Sequence, residues 1–255
     1  MDEEALAGGR ISGVVRIGDA VHRPARPWTP TVHALLTHLR DTGFEGVPEP
    51  LGYDEHGREM LAYLPGETAG EPPWPDWVFA DDTLVQMGRW LRGLHDATAA
   101  YRPAGDAVWF AGQSWRPGLI IGHHDAGPHN AVWREGRLAG FVDWDTAGPS
   151  SRELDLAFTA LTWVPLHARD LATLTGFTAF DERAGRLRTL LDAYGYDGDR
   201  AGFGTAVAAR ARINAAGIRR LAASGDPAYA NLLPLAEDYE RSAREIEELP
   251  GSFWA

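Results

Sequence analysis

His123-His124-Asp125-Ala126-Gly127-Pro128-His129-Asn130 is the densest polar cluster in the chain. It follows directly on the apolar run Leu119-Ile120-Ile121. A strand that stops at such a cluster presents its polar side chains on a loop at the edge of a packed scaffold. Further along, Phe141-Val142 leads into Asp143-Trp144-Asp145. Read as a strand of period two, both aspartates leave on one face. Two carboxylates on one face repel unless a cation or basic group lies between them. An asparagine and an aspartate converging there suit Mg²⁺, which prefers hard oxygen ligands and keeps waters and phosphate oxygens in its shell.

Upstream of this centre the pattern is that of a small β lobe. Residues 6–24 read as short strands joined by tight turns, with Gly8-Gly9 and Gly18-Asp19 as turn residues. A helix follows, with Thr29 as N-cap, Pro30 at the first helical position and Gly43 as the stop. Val32, Leu35, Leu36 and Leu39 fall on one of its faces. Residues 47–64 read as two more strands around a turn at Asp54–Gly57. The Pro-, Gly- and Glu-rich stretch 65–75 is the linker candidate. Beyond it the signal is helical: Leu84, Met87, Leu91 and Leu94 form an apolar stripe, and further helices are expected at 151–163, 183–194, 201–223 and 228–248. The expected architecture is therefore α+β in two lobes, with an N-terminal β lobe over 1–64, a hinge over 65–75 and a mainly helical C-terminal lobe over 76–255. A cleft between two such lobes is a usual place for a ligand.

Composition excludes several chemistries. The chain has 255 residues, long enough for a substantial core, and no cysteine, which removes disulfides, thiolate metal sites and cysteine nucleophiles. All 24 basic residues are arginine. Without lysine there is no Walker-A loop, no Schiff base and no lysine general base. The net charge of −12 disfavours nucleic acid and anionic membrane and favours cationic small molecules. Met1-Asp2-Glu3-Glu4 lacks the layout of a signal peptide, and no apolar run approaches a membrane span, so a soluble, cytoplasmic protein is expected. Monomer and homodimer both remain open.

His123-x-Asp125-x-x-x-x-Asn130 followed by an apolar residue and Asp143-Trp144-Asp145 resembles the aminoglycoside phosphotransferase family, a branch of the protein-kinase-like fold that includes choline kinases. The resemblance is to an ordered set. Gly8-Gly9-x-x-Ser12-Gly13 resembles the family's nucleotide loop, Tyr63-Leu64-Pro65-Gly66-Glu67 its interlobe hinge, and Asp155-Leu156-Ala157 the acidic tripeptide after the metal aspartate. It covers about residues 6–160. It implies a nucleoside triphosphate (ATP or GTP) as donor, Mg²⁺ as metal and a small polar molecule of the aminoglycoside kind as acceptor. It implies Asp125 as the group that accepts or orients the acceptor's hydroxyl proton, with His123 bracing the loop. Asn130 and Asp143 would hold the metal, and Asp145 would stand just outside its ligand shell or serve as an occasional metal ligand. Gly9, Ser12, Gly13, Tyr63 and Leu64 would contact the nucleotide.

One departure is plain. The family pairs a lysine on the third strand with a glutamate on the first helix. This chain has no lysine, and residues 30–40 hold no glutamate, with Val32 and His33 near that slot. Arg23, or else His22, is the available phosphate contact, and arginine can grip phosphate with two parallel N–H donors. Two rivals follow: a metabolic kinase for an amino alcohol or sugar, and a catalytically silent nucleotide-binding or immunity protein. A metal hydrolase built on His123, His124 and His129 with Asp125 and Asp143 lacks the usual further His-x-His or His-Asp pair. Ser114 lacks the second glycine of a nucleophile elbow.

Overall fold

The computed structural model describes residues 4–5, 13–224 and 227–254. They divide into two compact units, each discontinuous in sequence: residues 1–71 with 93–151, and residues 72–92 with 152–255.

The first unit is built on an antiparallel five-stranded sheet in the order β1-β2-β3-β5-β4, with β1 Glu4–Ala5, β2 Val15–Ile17, β3 Ala20–Pro24, β4 Pro50–Tyr53 and β5 Arg58–Ala62. Asp54 closes the β4–β5 turn by accepting from the N–H groups of His56 and Arg58, both at 2.9 Å. Between β3 and β4 runs α1, Thr29–Asp41, which buries Val32, Leu35, Leu36 and Leu39 as their spacing requires. Thr29 is the first residue of the helix rather than its cap, and its hydroxyl accepts from the Arg26 N–H at 2.9 Å. Gly43 takes φ +76 just past the end, and the Phe44 N–H returns to Leu39 O at 2.9 Å. The unit also holds two strand pairs, β6 Ile120–Gly122 with β9 Gly148–Ser150, and β7 Ala131–Arg134 with β8 Arg137–Phe141.

The compact units do not follow the boundaries expected from composition, and the stretch 65–75 shows why. Glu67 exchanges both backbone hydrogen bonds with Trp133 on β7, at 2.7 Å each. Gly66 makes that approach possible, since a Cβ there would lie 2.5 Å from Val132 Cγ1 and 2.6 Å from Trp133 O. The head of the presumed linker is thus stitched to the polypeptide around the polar loop. The unit boundary falls instead at Glu71–Pro72 and again inside α2, Asp81–Thr98, between Arg92 and Gly93.

The second unit is helical. It holds the first part of α2, then α3 Arg152–Trp163, α4 Arg169–Leu174, α5 Arg183–Tyr194, α6 Phe203–Ala222, α7 Pro227–Ala230, α8 Leu233–Glu247 and α9 Gly251–Trp254. Three expected helices lie where the periodicity puts them. The span 228–248 is two helices, because Pro234 has no N–H to give and clashes with the carbonyl a turn earlier, so α8 starts afresh with Pro234 in its first turn. The arrangement is α+β, and among the described residues no helix is long and apolar enough to cross a membrane.

Candidate active site

The chemistry-bearing residues of the first unit gather from three places: the loop after β6, the segment after β8, and the face of β3 and β5 that carries Arg23 and Glu59. The polar loop is held by its own histidine. His123 is fully buried, its Nε2 donating to Val142 O at 3.1 Å and its Nδ1 accepting from the Asp125 N–H at 3.3 Å. Its ring lies 4.5 Å from that of Trp144, whose Nε1 donates to Phe141 O at 2.9 Å. His123 is therefore a brace between the two loops. Val142 N–H donates to Asn130 O at 3.0 Å, which sets Asp143 one residue from Asn130's own backbone tie.

Asp125 keeps a third of its side chain exposed. Asn130 Nδ2 donates both to Asp125 O and to its Oδ2, at 2.9 Å each, and His129 Nε2 stands 3.3 Å from the same Oδ2. Gly127 makes room for this fold-back, because a Cβ there would meet His129 Cε1 at 2.7 Å. Burial would raise the Asp125 carboxyl. The charges of His129 and His123 and the hydrogen bonds of His129 and Asn130 outweigh it and hold the carboxyl below its ordinary value. Asp125 is thus an ionised, weakly basic acceptor, suited to orienting a hydroxyl rather than stripping it.

The segment Asp143-Trp144-Asp145 departs from the strand expected for it. Asp143 takes the left-handed conformation, φ 59 and ψ 65, and Trp144–Thr146 form one turn of 3-10 helix. The carboxylates still converge, through a tertiary partner and not through period two. Arg23 NH2 donates to Asp145 Oδ1 at 2.7 Å, and its NH1 donates to Asp143 Oδ1 at 3.3 Å. Burial pushes both aspartates above their ordinary values. Arg23 works against this, while Asp125's charge adds to the rise at Asp143 and the charges of Asp143 and Glu59 add to it at Asp145.

The structure brings Arg23, and not His22, to these carboxylates. The two are neighbours on β3 and leave on opposite faces; His22 Nδ1 meets Asp54 Oδ2 at 2.9 Å. The residue that sequence reasoning missed is Glu59. It stands opposite Arg23 in the β3–β5 register, is 1% exposed, and accepts from Arg23 Nε at 2.7 Å. His33 of α1 reaches the other oxygen at 3.0 Å. The helix thus supplies the histidine of this cluster and the strand its glutamate, where the family pattern would put the acid on the helix. A signal was present: Glu59 shares a strand face with Leu61, and a glutamate on a core-facing position requires a buried partner. Arg23 would lose basicity through burial, but Asp145, Glu59 and Asp143 together raise it, so its charge is permanent.

Of the expected nucleotide contacts, Gly9 and Ser12 lie outside the described residues. Gly13 has φ +91 just before β2. Tyr63 follows β5, with its N–H donating to Asp19 O at 2.8 Å and the Arg16 guanidinium 3.8 Å from its ring centre; Leu64 next to it is half-buried.

The donor set fits a hard divalent cation. Asn130 commits its amide nitrogen to Asp125, which leaves Oδ1 as an acceptor, and Asp143 keeps 44% of its side chain exposed with only a long contact to Arg23. Among the described residues no group of three or more histidine, aspartate and glutamate side chains is arranged to hold a metal. A cation here would complete its shell from water and phosphate oxygens. The three histidines of the loop have separate tasks: His123 braces, His129 faces Asp125, and His124 Nδ1 accepts from Gln113 at 3.5 Å.

Residues 111–203 match the family described as the phosphotransferase enzyme family. The chain is 38% identical over 199 residues to the trifolitoxin immunity protein of Rhizobium leguminosarum bv. trifolii, covering 76% of this chain and 74% of that protein. Its fold is similar to that of a choline/ethanolamine kinase family protein from Mesorhizobium loti, with a TM-score of 0.59, 18% identity and coverage of 96% and 90% of the two chains. It is also similar to the protein of the gentamicin–APH(2")-IIa complex, with a TM-score of 0.58, 11% identity and coverage of 99% and 93%.

Proposed function

Because the chain belongs to the phosphotransferase enzyme family, with the aminoglycoside phosphotransferases and choline kinases of the protein-kinase-like fold, we propose that it moves the γ-phosphoryl group of ATP or GTP to a hydroxyl of a small, polar, cationic molecule. The observation that carries this reading is the convergence of Asp125, Asn130 and Asp143 through the Asn130–Asp125 hydrogen bonds and the Val142–Asn130 tie. Asp125 orients the acceptor hydroxyl and takes its proton as the bond to phosphorus forms. Asn130, through Oδ1, and Asp143 would hold Mg²⁺. When bound, such an ion neutralises phosphate charge and aligns the transferred group. His123 fixes the loop so that Asp125 needs no rearrangement during transfer. Arg23 adds positive charge beside the phosphates, and Gly9, Ser12, Gly13, Tyr63 and Leu64 line the nucleotide. In this reading residues 1–64 serve as the nucleotide lobe, 65–75 as hinge and 76–255 as the acceptor lobe, although the compact units divide the chain differently.

An aminoglycoside-type antibiotic is the leading acceptor class, in keeping with the net charge of −12. The test is a mass-spectrometric screen for phosphorylated product, with ATP and with GTP, across aminoglycosides, choline-like amino alcohols and sugar alcohols. Turnover confined to the latter two groups would move the assignment to a metabolic kinase. A second reading is favoured by the relative named for trifolitoxin immunity: a protein that protects against a toxin, by phosphorylating it or by binding alone. Nucleotide binding with no Asp125-dependent turnover of any acceptor would select the silent form.

A further inference from the structure

The Arg23 guanidinium occupies a place that charge alone marks as important. Three carboxylates, Glu59, Asp143 and Asp145, converge on this one guanidinium. Two of those contacts are short and buried: Nε to Glu59 at 2.7 Å and NH2 to Asp145 at 2.7 Å, with Glu59 1%, Asp145 7% and Arg23 8% exposed. The third, to Asp143, is 3.3 Å long and reaches a half-exposed carboxylate.

Nor can the guanidinium swing away at little cost. It is planar and forked, so its position follows from the acceptors it meets. Glu59 is opposite it in the sheet register and is itself held by His33 at 3.0 Å, from a different element. Moving Arg23 off Asp145 would leave a buried carboxylate without a partner, which is costly. A divalent ion bound to Asp145 would need to sit about 2.1 Å from its oxygen. There it would face a permanent cation already bonded to that carboxylate.

In protein kinases two ions share one aspartate and one asparagine, the pair that Asp143 and Asn130 resemble; here Arg23 NH1 already faces Asp143 Oδ1 at 3.3 Å, so one side of that carboxylate carries a fixed positive charge. We propose that Arg23 is the resident second cation of this site: the chain loads one divalent ion with its nucleotide, on Asp143 and Asn130, and Asp145 anchors the guanidinium instead of binding metal. Glu59 and His33 are then positioning residues that hold this built-in charge in place. The proposal rests on the phosphotransferase reading and supplies a reason for arginine at a chain position where a lone ammonium could not span three separate carboxylates in a fixed fork.

The experiment counts Mn²⁺ ions, used in place of Mg²⁺, by electron paramagnetic resonance at saturating non-hydrolysable ATP analogue. Wild type is expected to bind one ion per chain. Asp145→Asn is expected to keep that single ion with affinity changed only a few-fold, whereas Asp143→Asn weakens it about tenfold or more, at least the loss typical of outer-shell partners. Arg23→Gln, where it folds, is expected to admit a second ion. Two ions in wild type, loss of the ion in Asp145→Asn, or a count of one in folded Arg23→Gln would overturn the proposal and leave the phosphotransferase reading standing. No ion in wild type would overturn both.

Discussion

Replacing Glu59 by glutamine keeps the side chain's size and removes one charge from the middle of the Arg23 cluster. Glu59 is 1% exposed and meets Arg23 Nε at 2.7 Å and His33 Nε2 at 3.0 Å, so no water can take over its role. A hydrogen bond to a charged group is worth about 1.5–3 kcal/mol, and breaking a buried ion pair outright costs about 3–5 kcal/mol. Glutamine can still accept from Arg23 through its amide oxygen, and the guanidinium keeps Asp145 at 2.7 Å. The loss should therefore fall below the full cost of an orphaned charge, at about 2–3 kcal/mol. For a chain of this size that corresponds to a drop in melting temperature of roughly 5–10 °C. Calorimetry of wild type, Glu59→Gln, Arg23→Gln and the double variant provides the check. Because Arg23→Gln alone strands Glu59 and Asp145, the double variant should be less destabilised than the two singles added together, with a coupling of at least about 1 kcal/mol. A melting temperature for Glu59→Gln within about 2 °C of wild type, together with additive singles, would refute the claim that this pair organises the site.

Asp125→Asn should lower kcat by roughly 10²–10⁴-fold while changing the nucleotide KM far less, since the new amide oxygen can still accept from Asn130 Nδ2; steady-state kinetics on whichever acceptor the screen identifies measures both. In the helical unit, burial first and the Arg183 charge second push His167 down from 6.5 to about 4. Between those values the unfolded chain binds a proton that the folded chain refuses, so stability falls as pH drops from 6.5 towards 4, by about 3 kcal/mol at the bottom of the window. Melting curves across that range should show the loss, and His167→Phe should flatten it; an unchanged slope in the variant would assign the acid limb elsewhere. Gly66→Ala should destabilise by about 1–3 kcal/mol, because the new Cβ meets Val132 Cγ1 and Trp133 O at 2.5 and 2.6 Å. Hydrogen exchange at the Glu67 and Trp133 amides should speed up in that variant, and exchange as slow as in wild type would mean the contact relaxes at no cost.

The features legible in the sequence were those whose cause is local. The apolar spacing of Val32, Leu35, Leu36 and Leu39 set a helix face, and an apolar run ending in His123–Asn130 set a strand with a polar loop at its edge. With no lysine in the chain, Arg23 or else His22 is the basic residue that the sequence offers on the third strand. What tertiary structure decided was every partnership formed at long range. Arg23 finds Glu59 across 36 positions and Asp145 across 122, and neither separation leaves a periodic trace. Glu59 meets Arg23 because the antiparallel register of β3 and β5 sets the two opposite each other, while α1 contributes His33 to the same carboxylate. The aspartates after β8 converge although Asp143 leaves the strand conformation altogether, since a buried guanidinium attracts carboxylates whatever the backbone between them does. The same holds for the two compact units, whose boundary falls where backbone hydrogen bonds such as Glu67 to Trp133 place it and not where composition changes. Local propensity and spacing thus specified most of the elements and the polar loop on which the proposed function rests. The charge balance beside it, with Arg23 among Glu59, Asp143 and Asp145, came only from chain segments that meet after folding.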